Sequence, residues 1–305
     1  MSTIDNRFDA CEICASLAWR ELYRGPVRDG AFPKLSDPDT IVALCGICGS
    51  ARLEESRAQQ AAIYQDASYR TLVGEQASPE NFYAAHDNLQ MQNLAVLWPE
   101  SLRGKVVADL GCAAGSFLDH IRGIAMRGVA IEPCEAYHAS LAANGYDVYA
   151  CATAALERWQ GKVDHAFSFS VIEHVTDPRQ FLCEMRELLV PGGRALISTP
   201  NRNDVLLNLL PSDYPAFFYR TVHRWYFEAE SLKTCAAAAG LIPLATRYVQ
   251  RFGLSNAIKW LRDRQPGGGD SLVELQSPLL DGVWKNYLED RGTADYLYMT
   301  LERPK

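Results

Sequence analysis

From Lys105 onward the chain alternates two kinds of segment, and this alternation restricts the fold more than any other feature. KVVADLG is a short β-branched run ending in glycine, the pattern of a buried strand. GSFLDHIRGIA follows with helical composition, then RGVAIEP as a second strand and CEAYHASLAANG as a second helix with a glycine stop. DVYACAT reads as a third strand and VDHAFSFSVIEHV as a fourth. DPRQFLCEMRELLV starts at an Asp-Pro cap, Pro191-Gly192-Gly193 is a turn, and RALISTPN is a fifth strand. Parallel strands need a crossover, usually a helix, to bring the chain back. The expected class is therefore α/β, a mostly parallel open sheet with helices on both faces. EAESLKTCAAAAGL and NAIKWLRDR read as helices, residues 267–270 (GGGD) as a flexible loop, and VELQSPLLDGVWKNYLED as mostly helical. IPLATRYVQ and ADYLYMTLERP complete a seven-stranded sheet as an antiparallel edge addition.

Upstream the pattern differs. Residues 53–66 lack helix breakers and are expected to be helical, as are 79–97, where Ser78 caps Pro79 and Pro99 ends the run. Together 53–100 would link residues 1–52 to the sheet domain at 101–305. The first segment holds Cys11-x-x-Cys14 and Cys45-x-x-Cys48, two of whose neighbours, Gly46 and Gly49, permit a tight knuckle. Two such knuckles can enclose a tetrahedral Zn²⁺, and four thiolates leave it no open position, so the expected role is structural. Thirty residues separate the pairs, room for a hairpin or a small helix and loop. The other five cysteines are scattered and read as small apolar residues.

The turn after the first strand carries the chemistry. It reads Asp109-Leu110-Gly111-Cys112-Ala113-Ala114-Gly115-Ser116. A dinucleotide fingerprint needs glycine at 111, 113 and 116, and two of the three are absent. A carboxylate at Asp109 would also repel a pyrophosphate, whereas it suits an ammonium group. Glu132, 23 positions later at the end of the second strand, can accept both hydroxyls of a ribose. The two features point to S-adenosylmethionine.

The runs VVADLGCAAGSFL, VAIEP, FSFSVIEHVTDP and LLVPGGRALISTPN resemble, in order and spacing, the class I S-adenosylmethionine-dependent methyltransferases. The resemblance covers roughly residues 100–250 and is nearest the branch of ubiquinone-type O-methyltransferases and of sugar and natural-product methyltransferases. It implies a Rossmann-like sheet. The Cys pairs resemble the zinc module that some sugar methyltransferases carry. Carried over, Asp109, Gly111, Cys112 and Gly115 line the methionine side and Glu132 holds the ribose. Thr153 lies near the adenine, Ser170 and Val171 flank the cofactor, and Tyr83 covers its methionine end. The family usually has glycine at the position of Ala113 and often an acid near Cys151–Thr153.

Methyl transfer to a hydroxyl calls for a base beside the acceptor. His174 and Glu173 follow the fourth strand, and His223 lies in the long segment after the fifth, which would roof the pocket beside Tyr219 and Tyr226. The other four histidines read as surface or helix residues. Asn201, Arg202 and Asn203 are candidates for a polar or phosphorylated substrate. The expected acceptor is a small polar metabolite, such as a sugar, a nucleotide-sugar or a carrier-linked sugar. C- or N-methylation of a natural-product intermediate, and a macromolecular RNA or protein substrate gripped by the zinc module, are the alternatives. The net charge of −7, with five basic against seven acidic residues in 1–50, argues against nucleic acid. No window approaches 18 apolar residues, so no membrane span is expected. The N-terminus lacks the apolar core of a signal peptide, and the cytoplasm is the expected location.

Overall fold

The computed structural model describes residues 7–97, 102–266 and 272–305. Pro99 and the 267–270 loop lie outside the described residues. Three short strands, β1 (Trp19–Arg24), β2 (Ile41–Cys45) and β3 (Ala51–Leu53), come first, followed by helices α1 (Ser68–Leu72) and α2 (Pro79–Ala95). The Ser78 hydroxyl accepts the Asn81 N–H and Pro79 opens α2, as its sequence requires.

The alternating half then gives β4 (Val106–Leu110), α3 (Ser116–Ile121), β5 (Arg127–Ile131), α4 (His138–Ala143), β6 (Asp147–Tyr149), α5 (Ala152–Trp159), β7 (Val163–Phe169), α6 (Pro178–Leu188) and β8 (Leu189–Pro200). Two short helices, α7 (Val205–Leu209) and α8 (Pro215–Phe218), lead to β9 (Trp225–Tyr226) and α9 (Ala229–Ala238). β10 (Ile242–Val249), α10 (Leu254–Asp263), α11 (Pro278–Asp290) and β11 (Tyr296–Glu302) finish the chain.

Seven strands form the main sheet in the order β10-β11-β8-β7-β4-β5-β6. β8, β7, β4, β5 and β6 are parallel, while β11 and β10 add antiparallel at the edge. All five residues of β4 are buried, as a central strand covered on both faces must be. The chain leaves β4 toward β5 on one side and returns to β7 on the other. The strand order thus reverses at β4, and the crevice beyond the carboxyl ends of β4 and β7 is where such sheets bind ligands. Among the described residues no helix is long and apolar enough to cross a membrane.

A second sheet, β1-β2-β3-β9, is antiparallel throughout. Its fourth strand belongs to the roof of the main sheet: Ala51 pairs with Tyr226 and Arg52 with Trp225. Cys11, Cys45 and Cys48 sit in the same core as Trp225, Leu232 and Cys235. The N-terminal segment is therefore built into the body of the protein.

Several local expectations fail for physical reasons. Residues 53–66 are the end of β3 followed by two short 3-10 turns, because the Glu54 carboxylate caps the sheet by accepting the Ile41 N–H at 2.9 Å. The third strand stops at Tyr149; ATAALERW, taken partly as strand, is α5, whose buried face packs on α6. Pro191–Gly193 does not break the chain but forms an irregularity within β8, with Gly192 left-handed at φ +76°. His165 is neither superficial nor helical: it is buried in β7, and desolvation lowers its pKa to about 4.

Candidate active site

The β4–α3 turn needs its glycines. Gly111 and Gly115 have φ of +81° and +87°. A side chain at Gly111 would strike Val171, and one at Gly115 would meet Leu141 Cδ2 at 2.6 Å. Between them Ala113 also takes φ +48°, a left-handed conformation that costs an L-residue roughly 1–2 kcal/mol. What holds it there is Glu132. One oxygen of that carboxylate accepts the Ala113 N–H at 2.6 Å and the other the Cys134 N–H at 2.9 Å.

Asp109 and Glu132 are 3% and 7% exposed on adjacent strand ends. Burial, then the charge of Glu132, pushes Asp109 up to about 8, and nothing near it stabilises the ionised form. Burial raises Glu132 as well, against the two backbone donors. Two buried carboxylates side by side favour a cationic ligand. Cys112 is buried in the same turn, and the Tyr83 hydroxyl on α2 donates to the Asp119 carboxylate at 2.5 Å and lies 3.1 Å from the Ala114 carbonyl, which sets it beside the glycine loop. Ser170, left-handed at φ +57°, bonds Tyr296 through its hydroxyl at 2.8 Å. Thr153 points elsewhere: it is exposed on α5 and donates to Glu184 of α6 at 3.3 Å.

Across the reversal point lies a second cluster. Glu173 and His174 follow β7, and His223 comes from the segment entering β9. His174 Nδ1 is 2.7 Å from the Val222 carbonyl. A carbonyl only accepts, so Nδ1 carries the proton and Nε2 keeps a free lone pair. The Tyr64 hydroxyl lies 2.9 Å from the same nitrogen and donates to the same carbonyl at 3.1 Å. His223 stands edge-on to His174, ring centres 4.7 Å apart, and Tyr69 closes the other side at 5.6 Å. Glu173 is 1% exposed; its Oε2 accepts from Thr199 at 3.0 Å, while Oε1 and His223 Nδ1 are buried without a partner. Burial lifts Glu173 to about 7 and lowers His174 to about 3. Both imidazoles are thus neutral at pH 7.

Ligand-capable atoms of Glu173, His174 and His223 lie within 4.8 Å of one another, a spacing compatible with a metal ion. The charge of Arg220, however, lowers the pKa of all three groups and opposes a second cation. The four N-terminal cysteines form a better metal site. Cys11 and Cys48 sulfurs are 3.6 Å apart and those of Cys14 and Cys45 3.5 Å, close to the ~3.8 Å edge of a tetrahedron with 2.3 Å Zn–S bonds. All four sulfurs lie within 4.8 Å. The contact between Cys11 and Cys48 is felt in opposite directions, raising the Cys11 thiol, with burial adding to it, and lowering Cys48, as for two sulfurs that share one proton.

The three residues proposed after β8 are tied into the fold. Asn201 is fully buried and donates to the Gly292 and Ala294 carbonyls; Arg202 pairs with Glu228 at 2.6 Å; Asn203 donates to Gly292 at 3.2 Å. Tyr64, Tyr69, Arg28 and Arg220 were not anticipated. Arg220 lies three residues from His223 and was legible as part of the roof. The first three give no local signal, because only the path of residues 20–75 over the crevice brings them in.

A family model described as a methyltransferase domain matches residues 83–245. A probable S-adenosylmethionine-dependent methyltransferase of Mycolicibacterium smegmatis is 34% identical over 137 residues, 43% of this chain and 52% of that protein. A ubiquinone biosynthesis O-methyltransferase of Cupriavidus pinatubonensis is 32% identical over 111 residues, 33% of this chain and 44% of that protein. The chain spans about half the length of the curated relatives it matches. The fold is similar to a chain solved in the complex between the Haloferax volcanii Trm112 methyltransferase activator and the putative methyltransferase. That match has TM-score 0.51 and 16% identity, over 74% of this chain and 94% of that one. With a parallel sheet reversing at β4, paired carboxylates beside a left-handed glycine turn, and a match over more than half its length, the chain belongs to the methyltransferase-domain family.

Proposed function

We propose that this chain is an S-adenosylmethionine-dependent methyltransferase acting on a hydroxyl of a small polar metabolite, a sugar or carrier-linked sugar by preference. The observation that carries the reading is the division of the crevice: buried carboxylates at β4 and β5 that form no salt bridge among the described residues, neutral imidazoles at β7 and the roof. S-adenosylmethionine, when bound, supplies an electrophilic methyl group on a sulfonium centre. Asp109 accepts from the ammonium group of its methionine end, and Glu132 accepts the ribose hydroxyls. Gly111, Cys112 and Gly115 let the backbone approach, Ser170 and Val171 form the wall facing β7, and Tyr83 covers the loop. Thr153 has a weaker claim on the adenine, since its hydroxyl faces α6.

His174 is the base. Its Nδ1–H is fixed by the Val222 carbonyl, so Nε2 takes the acceptor proton. Glu173 Oε1, 4.0 Å from Nε2, stabilises the imidazolium that forms. His223, packed against His174, orients the acceptor and excludes water. The names of the ubiquinone biosynthesis relatives support oxygen as the alkylated atom. The four cysteines hold a structural Zn²⁺, and the enzyme works in the cytoplasm without a nucleic-acid partner.

Titration calorimetry tests the reading. S-adenosylhomocysteine is expected to bind and NAD not to bind. Asp109→Asn should weaken S-adenosylhomocysteine by roughly 100-fold, the scale of one lost charge-assisted hydrogen bond. Equal binding of NAD, or an Asp109→Asn variant that binds as the wild type does, would refute it.

A further inference from the structure

Arg28 and Arg220 come from opposite ends of the chain, and a short backbone ladder sets them side by side. Arg28 N–H donates to the Tyr219 carbonyl at 3.0 Å and Thr221 N–H donates to the Arg28 carbonyl at 2.9 Å, a parallel bridge that pairs the two arginines. Bridge partners share a face of the ladder, so both side chains leave the backbone on the same side. Arg28 lies over the Phe217 ring at 4.4 Å, a cation–π contact that restrains its guanidinium. Both side chains are half-buried, and the Nε of each is buried without a partner.

No described carboxylate pairs with either guanidinium. The nearest in sequence, Asp29, is occupied by Lys34 at 2.7 Å and by the Thr221 hydroxyl at 2.9 Å. Burial and the neighbouring charge of Arg220 lower Arg28 to about 10, the mark of a cation pair lacking its counterion. The pair borders the proposed acceptor site. Arg220 acts electrostatically on His174, His223, Tyr64 and Glu173, and Arg28 on His223.

We infer that Arg28 and Arg220 form a subsite for a phosphoryl group of the methyl acceptor, which makes the substrate a phosphorylated or nucleoside-diphosphate-linked metabolite. The inference rests on the placing of the acceptor at His174 given above. Two forked, always-charged donors on one face match a dianionic phosphoryl group in charge and geometry, whereas a single carboxylate neutralises only one of them. Burial is the main cause that keeps the two histidines unprotonated and the Arg220 charge adds to it, so occupancy would remove only that added share and make His174 a somewhat stronger base when the correct acceptor is bound.

The test is calorimetry with inorganic pyrophosphate on the full chain saturated with S-adenosylhomocysteine. Arg28→Gln and Arg220→Gln should each weaken pyrophosphate about tenfold or more, while Arg247→Gln, on an exposed strand edge, should not change it. Equal binding by all these proteins overturns the subsite, and acetate binding as tightly as pyrophosphate overturns the phosphoryl assignment. Should a glutamine variant fail to fold, Arg28→Lys and Arg220→Lys keep the charge and lose the fork. They should weaken pyrophosphate by a smaller factor, and unchanged affinity in both refutes the geometry. S-adenosylhomocysteine affinity is read separately: its absence sinks the methyltransferase reading, while pyrophosphate binding still decides the subsite.

Discussion

The two halves of the crevice are built in opposite ways. On the β4–β5 side the groups that matter lie between Asp109 and Glu132 and are acidic. On the β7 side they come from residues 28, 64–69, 173–174 and 220–223, and apart from the buried acid Glu173 they are basic and aromatic. The first half is a local device: one turn, two strand ends and a carboxylate that ties them together through two backbone N–H groups. The second exists only because the N-terminal sheet takes β9 as its fourth strand and carries residues 20–75 over the crevice. In the proposed reading this charge division assigns a cationic ligand group to one side and an anionic one to the other. The family match begins at residue 83, after Arg28, Tyr64 and Tyr69.

The strongest challenge to this contrast is removal of the metal. Chelation, or Cys45→Ser, is expected to disorganise the N-terminal sheet and to abolish turnover. S-adenosylhomocysteine affinity should then stay within a few-fold, because Asp109 and Glu132 do not depend on that sheet. Calorimetry beside an activity assay reads both, and parallel loss of the two would merge the halves into one cooperative unit. Next comes His174→Gln, expected to lower kcat by roughly 10²–10⁴-fold with cofactor affinity unchanged; a fall below tenfold would move the base elsewhere.

A smaller effect follows from Glu173. Burial raises its pKa from 4.5 to about 7, so the folded state favours the protonated acid. The stability this gives is fully present below pH 4.5 and is lost as pH rises through about 7. Glu173→Gln should therefore melt like the wild type near pH 4.5 and be more stable at pH 8 by about 3 kcal/mol. A stability difference that does not change with pH would show that Glu173 is already ionised. Smallest is Ala113→Gly, which relieves a left-handed alanine and should raise stability by at most about 1 kcal/mol while tightening S-adenosylhomocysteine slightly. Destabilisation would mean that the Glu132 contact, and not backbone strain, governs the turn.

Much of the molecule was legible because its signals are local. Asp109, the glycines and Glu132 sit at fixed offsets from strand ends, and strand ends follow from β-branched runs. The antiparallel edge was readable from two strands close together at the end of the chain. Residues 53–66 were misread because composition cannot show that Glu54 accepts a backbone N–H from Ile41. Arg202 was a reasonable phosphate candidate until its partner Glu228 appeared, and Arg28 gave no hint until its bridge with Arg220 did.

The amino-acid order alone determined the parallel sheet, the glycine turn with its carboxylates at the first two strand ends, and the grouping of four thiols in two knuckles. Each of these depends on interactions between residues a few positions apart. Tertiary structure alone decided which cations remain uncompensated, which imidazole nitrogen keeps its lone pair, and that the N-terminal sheet shares a strand with the roof. Those outcomes depend on which distant groups meet after burial, and burial multiplies the consequence of every unpaired charge or lone pair.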